Sequence, residues 1–377
     1  MDFTLNEEQT AIADLAQQIL SEQLPPERLK QLETDPAWFS TDVWAQLAKA
    51  DLLGLCVPES NGGAGFGIVE ACLVAQAIGR TVAPVPYLAT IVLGAMPIAR
   101  FGSDALKDRY LPGVADGSIV LTAALAEAGA ADTPTLITTT ATRDGEGWRL
   151  DGEKHLVPAA GIADAILVPA RTGDRSLGVF ILSPAAPGVS LEREIAVSGE
   201  PQWLLRLDGV EVAAGDVLGD AQAGEEVVRW MVDHGTAAVC ATQVGVCEAA
   251  LKLTAAYVSE REQFGSKLGT FQAVAQRLAD AYIDTEAIRL TSVQAAWRLS
   301  ADLPAANELA IAKFWAADGA QRVVHAAQHL HGGIGVDADY PVHRYFRWAK
   351  TLELTLGGAT PSLLRLGANL AAEPIDA

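Results

Sequence analysis

Arg261, Phe264 and Gly265 form an Arg-x-x-Phe-Gly run, with Phe271 and Gln272 shortly after it. A guanidinium is a planar, permanently charged fork of N–H donors that fits phosphate oxygens, and a neighbouring phenylalanine can pack against a bound group. His329, Gly332 and Gly333 lie in HLHGG, where the absence of a side chain lets backbone amides approach an adenosine or phosphate group. One glutamate, Glu353, stands three residues before Leu356-Gly357. A carboxylate works as a base only within hydrogen-bond reach of the proton it takes, and a solvated or salt-bridged glutamate is the ordinary alternative. His325 and His329 stand one helical turn apart with His331 beside them, but no nearby cysteine or carboxylate completes a ligand set, so no metal is expected. Gly63, Gly65 and Gly67 do not spell G-x-G-x-x-G, because the third glycine comes one residue early and no strand is predicted before it.

Three stretches must position these residues. Residues 1–118 read mainly as helices: Asn6 caps the first, with Gln9 as its capping-box partner and Ile12, Leu15, Ile19 and Leu20 as the core stripe. A second amphipathic segment covers residues 38–53, and the loop VPESNGGAGFG follows it. From 119 to 225 short β-rich runs alternate with turn signals, including Asp144-Gly145 and Asp151-Gly152 as hairpin candidates. From 226 the chain is helical again, near 227–260, 272–299 and 305–330, with a last helix from about 361.

Bulk composition narrows the function classes. The chain has 377 residues, enough for two or three domains. Its formal net charge of −20 leaves no basic face to replace phosphate counterions, so nucleic acid is not an expected partner. Cys56, Cys72, Cys240 and Cys247 form no CxxC pair and are expected as reduced, mostly buried thiols. The start, MDFTLNEEQ, has neither a basic n-region nor an apolar h-region, and the apolar stretch 236–258 is interrupted by Gln243, Glu248 and Lys252. A cytoplasmic protein without a membrane span is expected.

Residues 329–360 read HLHGGIGVDADYPVHRYFRWAKTLELTLGGAT, placing Gly332, Gly333, Gly335, Tyr340, Pro341, Arg344, Tyr345, Arg347, Ala349 and Lys350 in one ungapped frame. This run resembles the C-terminal signature of the acyl-CoA dehydrogenase family. VPESNGG at 57–63 and IGRTVAPVPYLAT at 78–90 are similar to the same family, and the order of helices, β domain and helices carries the resemblance over essentially the whole chain. The fold it implies is α+β: an N-terminal helical domain (1–118), a central β-barrel or sandwich domain (119–225) and a C-terminal four-helix bundle (226–377) that contacts FAD and oligomerises.

The resemblance implies that Arg261, Gln263, Phe264, Phe271, Gln272, His329, Gly332 and Gly333 contact the FAD of a neighbouring subunit, although the family usually has glutamine where His329 stands. It also exposes losses. The family's catalytic glutamate falls on Leu356, and an alternative base position on an earlier helix falls on Gly235, with Asp233 and His234 pointing elsewhere. Glu353 remains as a candidate base, displaced by about 4.5 Å if the helix continues. ALAEAGAADTP (124–134) keeps Glu127 and Gly129 but not the serine of the family's Thr-Glu-Pro-Gly-x-Gly-Ser-Asp. In the Lys-x-Trp-Ile-Thr/Ser-Asn segment, tryptophan has become Leu156 and the hydroxyl donor Pro158, which has neither a hydroxyl nor an N–H to offer a flavin ring.

Motifs that serve the chain's own flavin are degraded, and those that serve a neighbour's are kept. The leading reading is the base-lacking subunit of a heteromeric acyl-CoA dehydrogenase, inactive alone, resembling subunits of the α2β2 enzymes of steroid-degrading actinobacteria. That resemblance implies a sister subunit with the glutamate, a shared FAD, a steroid side-chain acyl-CoA and electron-transfer flavoprotein as acceptor. A homo-oligomeric flavoenzyme with a displaced base or monooxygenase chemistry is a second reading, and a non-enzymatic scaffold a third.

Overall fold

The computed structural model describes residues 3–129, 136–174 and 176–372. The α-helices are α1 (Glu7–Gln23), α2 (Pro26–Thr34), α3 (Thr41–Lys49), α4 (Ile68–Thr81), α5 (Met96–Phe101), α6 (Asp104–Ala115), α7 (Gly224–Glu260), α8 (Gln272–Ser300), α9 (Ala306–Phe314), α10 (Ala320–His331), α11 (Val342–Leu354) and α12 (Ala359–Ala372). The strands are β1 (Leu121–Ala123), β2 (Thr140–Asp144), β3 (Gly147–Pro158), β4 (Ala165–Arg171), β5 (Leu177–Leu182), β6 (Val189–Ile195), β7 (Pro201–Val212) and β8 (Val217–Leu218), with the small pair β9 (Glu262–Gln263) and β10 (Ser266–Lys267) after α7. The α+β order of helices, sheet and helices is as expected.

Two compact units form. One gathers Met1–Pro36, Cys72–Ala83 and Thr236–Ala377; the other gathers Ala37–Ala71 and Pro84–Gly235. The helices before residue 118 are thus shared between units. Side chains account for part of this: Arg344 pairs with Glu33, Lys30 with Asp339 and Arg80 with Glu248, so α2 and the end of α4 are fastened to the C-terminal bundle.

In the sheet-bearing unit, β1–β8 form one mixed sheet ordered β6-β7-β3-β2-β4-β5-β8, with β1 alongside β4. Strands β3 and β5 are three places apart in that order, roughly 14 Å in a flat sheet. Yet Trp148 on β3 and Phe180 on β5 meet edge to face at 5.4 Å. The sheet therefore folds back on itself, hinged where β2 and β4 share only the Thr140–Arg171 pairing, and encloses one core of Trp148, Leu150, Val168, Phe180 and Leu205. The expected hairpin at Asp144-Gly145 is present, with Asp144 opposite Gly147 and Gly145 at φ 56°.

The hairpin expected at Asp151-Gly152 is not. Gly152 lies inside β3 at a register shift against β7, and a Cβ there would come within 2.8 Å of Thr139 Cα, so this glycine serves a bulge and a close approach. Helix α3 is also shorter than the predicted 38–53: Ser40 caps its start, while Trp38 (φ 60°) and Asp51 (φ 57°) leave helical space on either side. In the loop after α3, a Cβ on Gly63 would lie 2.2 Å from the Val57 carbonyl oxygen, so that glycine is required by packing within the chain.

In the bundle unit, α1 starts with the expected capping box, Asn6 Oδ1 accepting from the Gln9 amide at 2.8 Å and Gln9 Oε1 from the Asn6 amide at 3.1 Å. Helices α9 and α10 are joined by a π-helical turn, Trp315–Gly319, into one rod. Among the described residues no helix is long and apolar enough to cross a membrane, and the four cysteines are buried and in no disulfide. Helix α11, which the sequence reading leaves unassigned, is held at its start by the Arg344–Glu33 pair. At its end the fully buried Lys313 ammonium donates to the carbonyls of Leu352 (2.8 Å) and Glu353 (3.1 Å), which have no partner within the helix.

Candidate functional site

Helix α7 ends at Glu260, and the chain turns back through β9 and β10, in which Ser266 pairs with Gln263 and Lys267 with Glu262. The two residues between the strands are Phe264 (φ 54°) and Gly265 (φ 76°). Two consecutive positive φ values define the type I′ hairpin turn, in which glycine is easily accommodated and phenylalanine is strained. Phe264 is also 92 % exposed, with its ring edge-to-face to Phe271 at 6.4 Å between centroids. A large apolar side chain held in a costly conformation and pointed at solvent is a feature that packing within this unit does not explain.

Arg261 opens the hairpin, its amide donating to the Tyr257 carbonyl and its carbonyl accepting from Leu268. Its guanidinium forms no ion pair among the described residues, while Arg80, Arg322 and Arg344 in the same unit all do. It lines a groove of about 480 Å³ with Leu253, Ala256, Tyr257, Glu260 and Tyr340. Gln263 and Gln272 are exposed on the two sides of the turn.

The glycine turn follows α10. His329 is exposed on its last turn, Gly332 (φ 63°) stops the helix, and a 3₁₀ segment Gly332–Val336 follows. Among the described residues, chain neighbours aside, nothing comes within 4 Å of a Cβ built on Gly332 or Gly333, so the backbone of this turn is open to close approach. Gly335 differs: a Cβ there would meet the Gln328 carbonyl oxygen at 2.5 Å, and the turn could not fold back on α10.

Sequence reasoning missed what lies beneath. His331 is 3 % exposed; its ring stacks on Tyr257 at 4.4 Å and its Nε2 lies 3.2 Å from the Tyr340 hydroxyl. In the sequence His331 stands out only beside His325 and His329, a set in which no metal site is expected. Among the described residues no group of three His, Cys, Asp or Glu side chains could hold a metal ion.

The base positions are clear. Helix α11 ends at Leu354; Thr355 is extended, Leu356 is left-handed (φ 59°) and Gly357 has φ 101°. The displacement from Glu353 to Leu356 therefore does not follow a helix, which corrects the one-turn spacing assumed from sequence. The Glu353 carboxylate is paired with Lys350 at 2.7 Å. Gly235 lies within α7; beside it His234 stacks on Trp230 at 3.6 Å and hydrogen-bonds the Trp230 carbonyl, a structural engagement.

In the sheet-bearing unit, Glu127 accepts from Lys154 Nζ (2.6 Å), from the amide of Thr138 (2.6 Å) and its hydroxyl, and from the amide (3.2 Å) and hydroxyl (2.8 Å) of Thr139. Burial pushes the Glu127 pKa up, but the Lys154 charge and these hydrogen bonds outweigh it and hold the carboxyl at about 2. Burial pulls Lys154 down to about 8 against the opposing effect of Glu127. Glu127 is thereby tied to Thr138 and Thr139 as well as to Lys154 on β3; residues 130–134 of ALAEAGAADTP lie outside the described residues. Farther along β3, Leu156 (φ 53°) and Ala159 (φ 55°) are left-handed, the Leu156 side chain is exposed, and its amide faces Glu194 Oε2 at 3.4 Å. Pro158 turns its carbonyl to the Thr122 hydroxyl and has no N–H.

Comparison with known proteins agrees with this architecture. The acyl-CoA dehydrogenase N-terminal, middle and C-terminal domain models match residues 6–118, 122–210 and 222–369. Acyl-CoA dehydrogenase FadE27 of Mycobacterium tuberculosis is 40 % identical over 99 % of this chain and 100 % of its own length, and FadE28 of the same organism is 37 % identical over 98 % of each. Among solved structures, the ChsE4-ChsE5 complex from Mycobacterium tuberculosis superposes with a TM-score of 0.94 at 40 % identity, covering all of both chains. A variant of the Tcur3481-Tcur3483 steroid ACAD superposes with a TM-score of 0.91 at 44 % identity, covering 98 % of this chain and 99 % of its own. With three domain models in order and full-length relatives at this identity, the chain belongs to the acyl-CoA dehydrogenase family of oxidoreductases.

Proposed function

We propose that this chain is the base-deficient subunit of an FAD-dependent acyl-CoA dehydrogenase, assembled as α2β2 with a sister chain that carries the catalytic glutamate and the flavin pocket. The observation that carries the reading is an asymmetry between two sets of residues. Leu356 stands at the family's base position, and Leu156 and Pro158 stand where the flavin ring needs an aromatic side chain, a hydroxyl and an N–H. Against these losses, Arg261, Phe264, Gly332 and Gly333 stay exposed; among the described residues Arg261 makes no ion pair and nothing crowds the two glycines.

An anionic, partly aromatic cofactor held by a neighbour fits the exposed set: Arg261 for phosphate oxygens, Phe264 and Phe271 for packing, Gly332 and Gly333 for close backbone approach, and Gln263, Gln272 and His329 for hydrogen bonds. The chain's own β domain does not fit a flavin ring, because Pro158 has no donor and Glu127 is used internally. When bound, FAD supplies acceptance of the hydride from the acyl β-carbon, while a carboxylate of the sister chain takes the α-proton. This chain's part is to bind and orient. The paired names of the ChsE4-ChsE5 complex and the Tcur3481-Tcur3483 steroid ACAD support a sister subunit, and the second supports a steroid substrate, which we take to be a side-chain CoA thioester. We assign the family domains to 1–118, 119–225 and 226–377, the site residues as above, and electron-transfer flavoprotein as the acceptor. The Lys350 pairing of Glu353 weighs against that residue as a displaced base.

Native mass tests the pairing. Mixed with a base-bearing sister chain, this chain is expected to shift into a heterotetramer with equal amounts of both. A stable homo-oligomer that ignores the sister chain would contradict the assignment.

A further inference from the structure

We propose that His331 is the positioning residue that couples the 261–271 hairpin to the glycine turn, so that the two halves of the exposed cofactor edge hold one geometry. What that edge binds rests on the function proposed above; the coupling itself rests on the following contacts.

His331 is the last residue of α10 and is buried. Its Nδ1 lies 2.7 Å from the Ala327 carbonyl oxygen, an acceptor, so this nitrogen carries the hydrogen. Nε2 is then an acceptor for the Tyr340 hydroxyl at 3.2 Å. On the other side the ring lies against Tyr257 at 4.4 Å with 26° between planes, and the Tyr257 hydroxyl donates to the His331 carbonyl at 3.4 Å. The Tyr257 carbonyl in turn accepts the Arg261 amide at 2.9 Å. One imidazole therefore meets Tyr257 at the end of α7 that launches the hairpin and Tyr340 two residues before α11, from its own place at the end of α10, the helix that Gly332 stops.

The histidine is also titratable. Burial holds its pKa below the ordinary value of 6.5, against a smaller raising effect of the Ala327 carbonyl. The groups facing it are Tyr257 from α7 and Tyr340 from the approach to α11, with Glu260 and Arg261 beyond them along the groove. Among the described residues no carboxylate hydrogen-bonds the ring. Protonation reverses the bond to Tyr340 and places an unpaired charge in the junction. Because the folded pKa is lowered, the unfolded chain binds more protons below 6.5, and the stability of the junction is lost as pH falls through that window.

The test is amide hydrogen exchange on the full-length chain between pH 5 and 8, corrected for intrinsic rates, followed in residues 261–271 and 332–337. In the wild type, exchange of both segments is expected to rise together on the acid side. His331→Phe keeps a ring in the stack but loses both nitrogens; both segments should exchange faster at pH 7.5, without the acid-dependent rise. Tyr340→Phe, which removes one hydroxyl from a half-buried ring, should produce part of the same change. Either segment moving alone, or neither responding in His331→Phe and Tyr340→Phe, would overturn the coupling. Flavin content of the co-purified heteromer, read on the same preparations, tests the cofactor reading separately: its absence sinks that reading and leaves the exchange result to decide the coupling.

Discussion

Lys154→Met is expected to cost about 3–5 kcal/mol of stability, the range for removing one partner of a buried ion pair. The reason is the partner left behind. Glu127 is buried, and without Lys154 it keeps only the amides and hydroxyls of Thr138 and Thr139. Glu127→Gln combined with Lys154→Met removes both charges and should recover part of the loss, giving a favourable coupling energy in a double-mutant cycle. The pH dependence carries the same signature. The folded Glu127 pKa, about 2, lies below its unfolded value, so its contribution is complete above pH 4.5 and is lost as pH falls towards 2. Urea unfolding at pH 7 and at pH 3 checks this. The wild type should lose more stability on acidification than Lys154→Met, in which the carboxyl has no charge partner to lose.

Arg261→Ala should act in the opposite way, on binding with little effect on folding. The guanidinium is exposed and forms no ion pair among the described residues, so the thermal midpoint of the chain alone should move little. In the heteromer, loss of a charge-assisted contact to phosphate is expected to weaken flavin retention about 10- to 100-fold. Arg261→Lys should recover only part, because an ammonium keeps the charge but not the fork. Flavin fluorescence released on dilution of the heteromer measures both. Unchanged retention in Arg261→Ala would remove this arginine from the cofactor edge.

What the sequence made legible was local. The Asn6 capping box, the Asp144-Gly145 hairpin and the helix, sheet, helix order each depend on residues a few positions apart. What it hid depends on distant partners. Asp151-Gly152 has the composition of a turn, but Thr139 packs where a Cβ would stand and the glycine serves a bulge. Segment 38–53 has helical periodicity, but Trp38 and Asp51 adopt left-handed conformations and leave only α3. Glu353 and Leu356 look one turn apart until the left-handed conformation of Leu356 shows that the helix has ended. Neither the bond between Glu127 and Lys154 nor the stack of Tyr257 on His331 can be read from spacing, because each joins elements far apart in the chain.

The shared-cofactor account is tested most directly by flavin absorbance per mole of chain, on the protein purified alone and after co-expression with a base-bearing sister subunit. The account predicts no flavin on the chain alone and one FAD per pair in the complex, bleached by acyl-CoA. One flavin per chain on the protein alone, or two per pair in the complex, would contradict it.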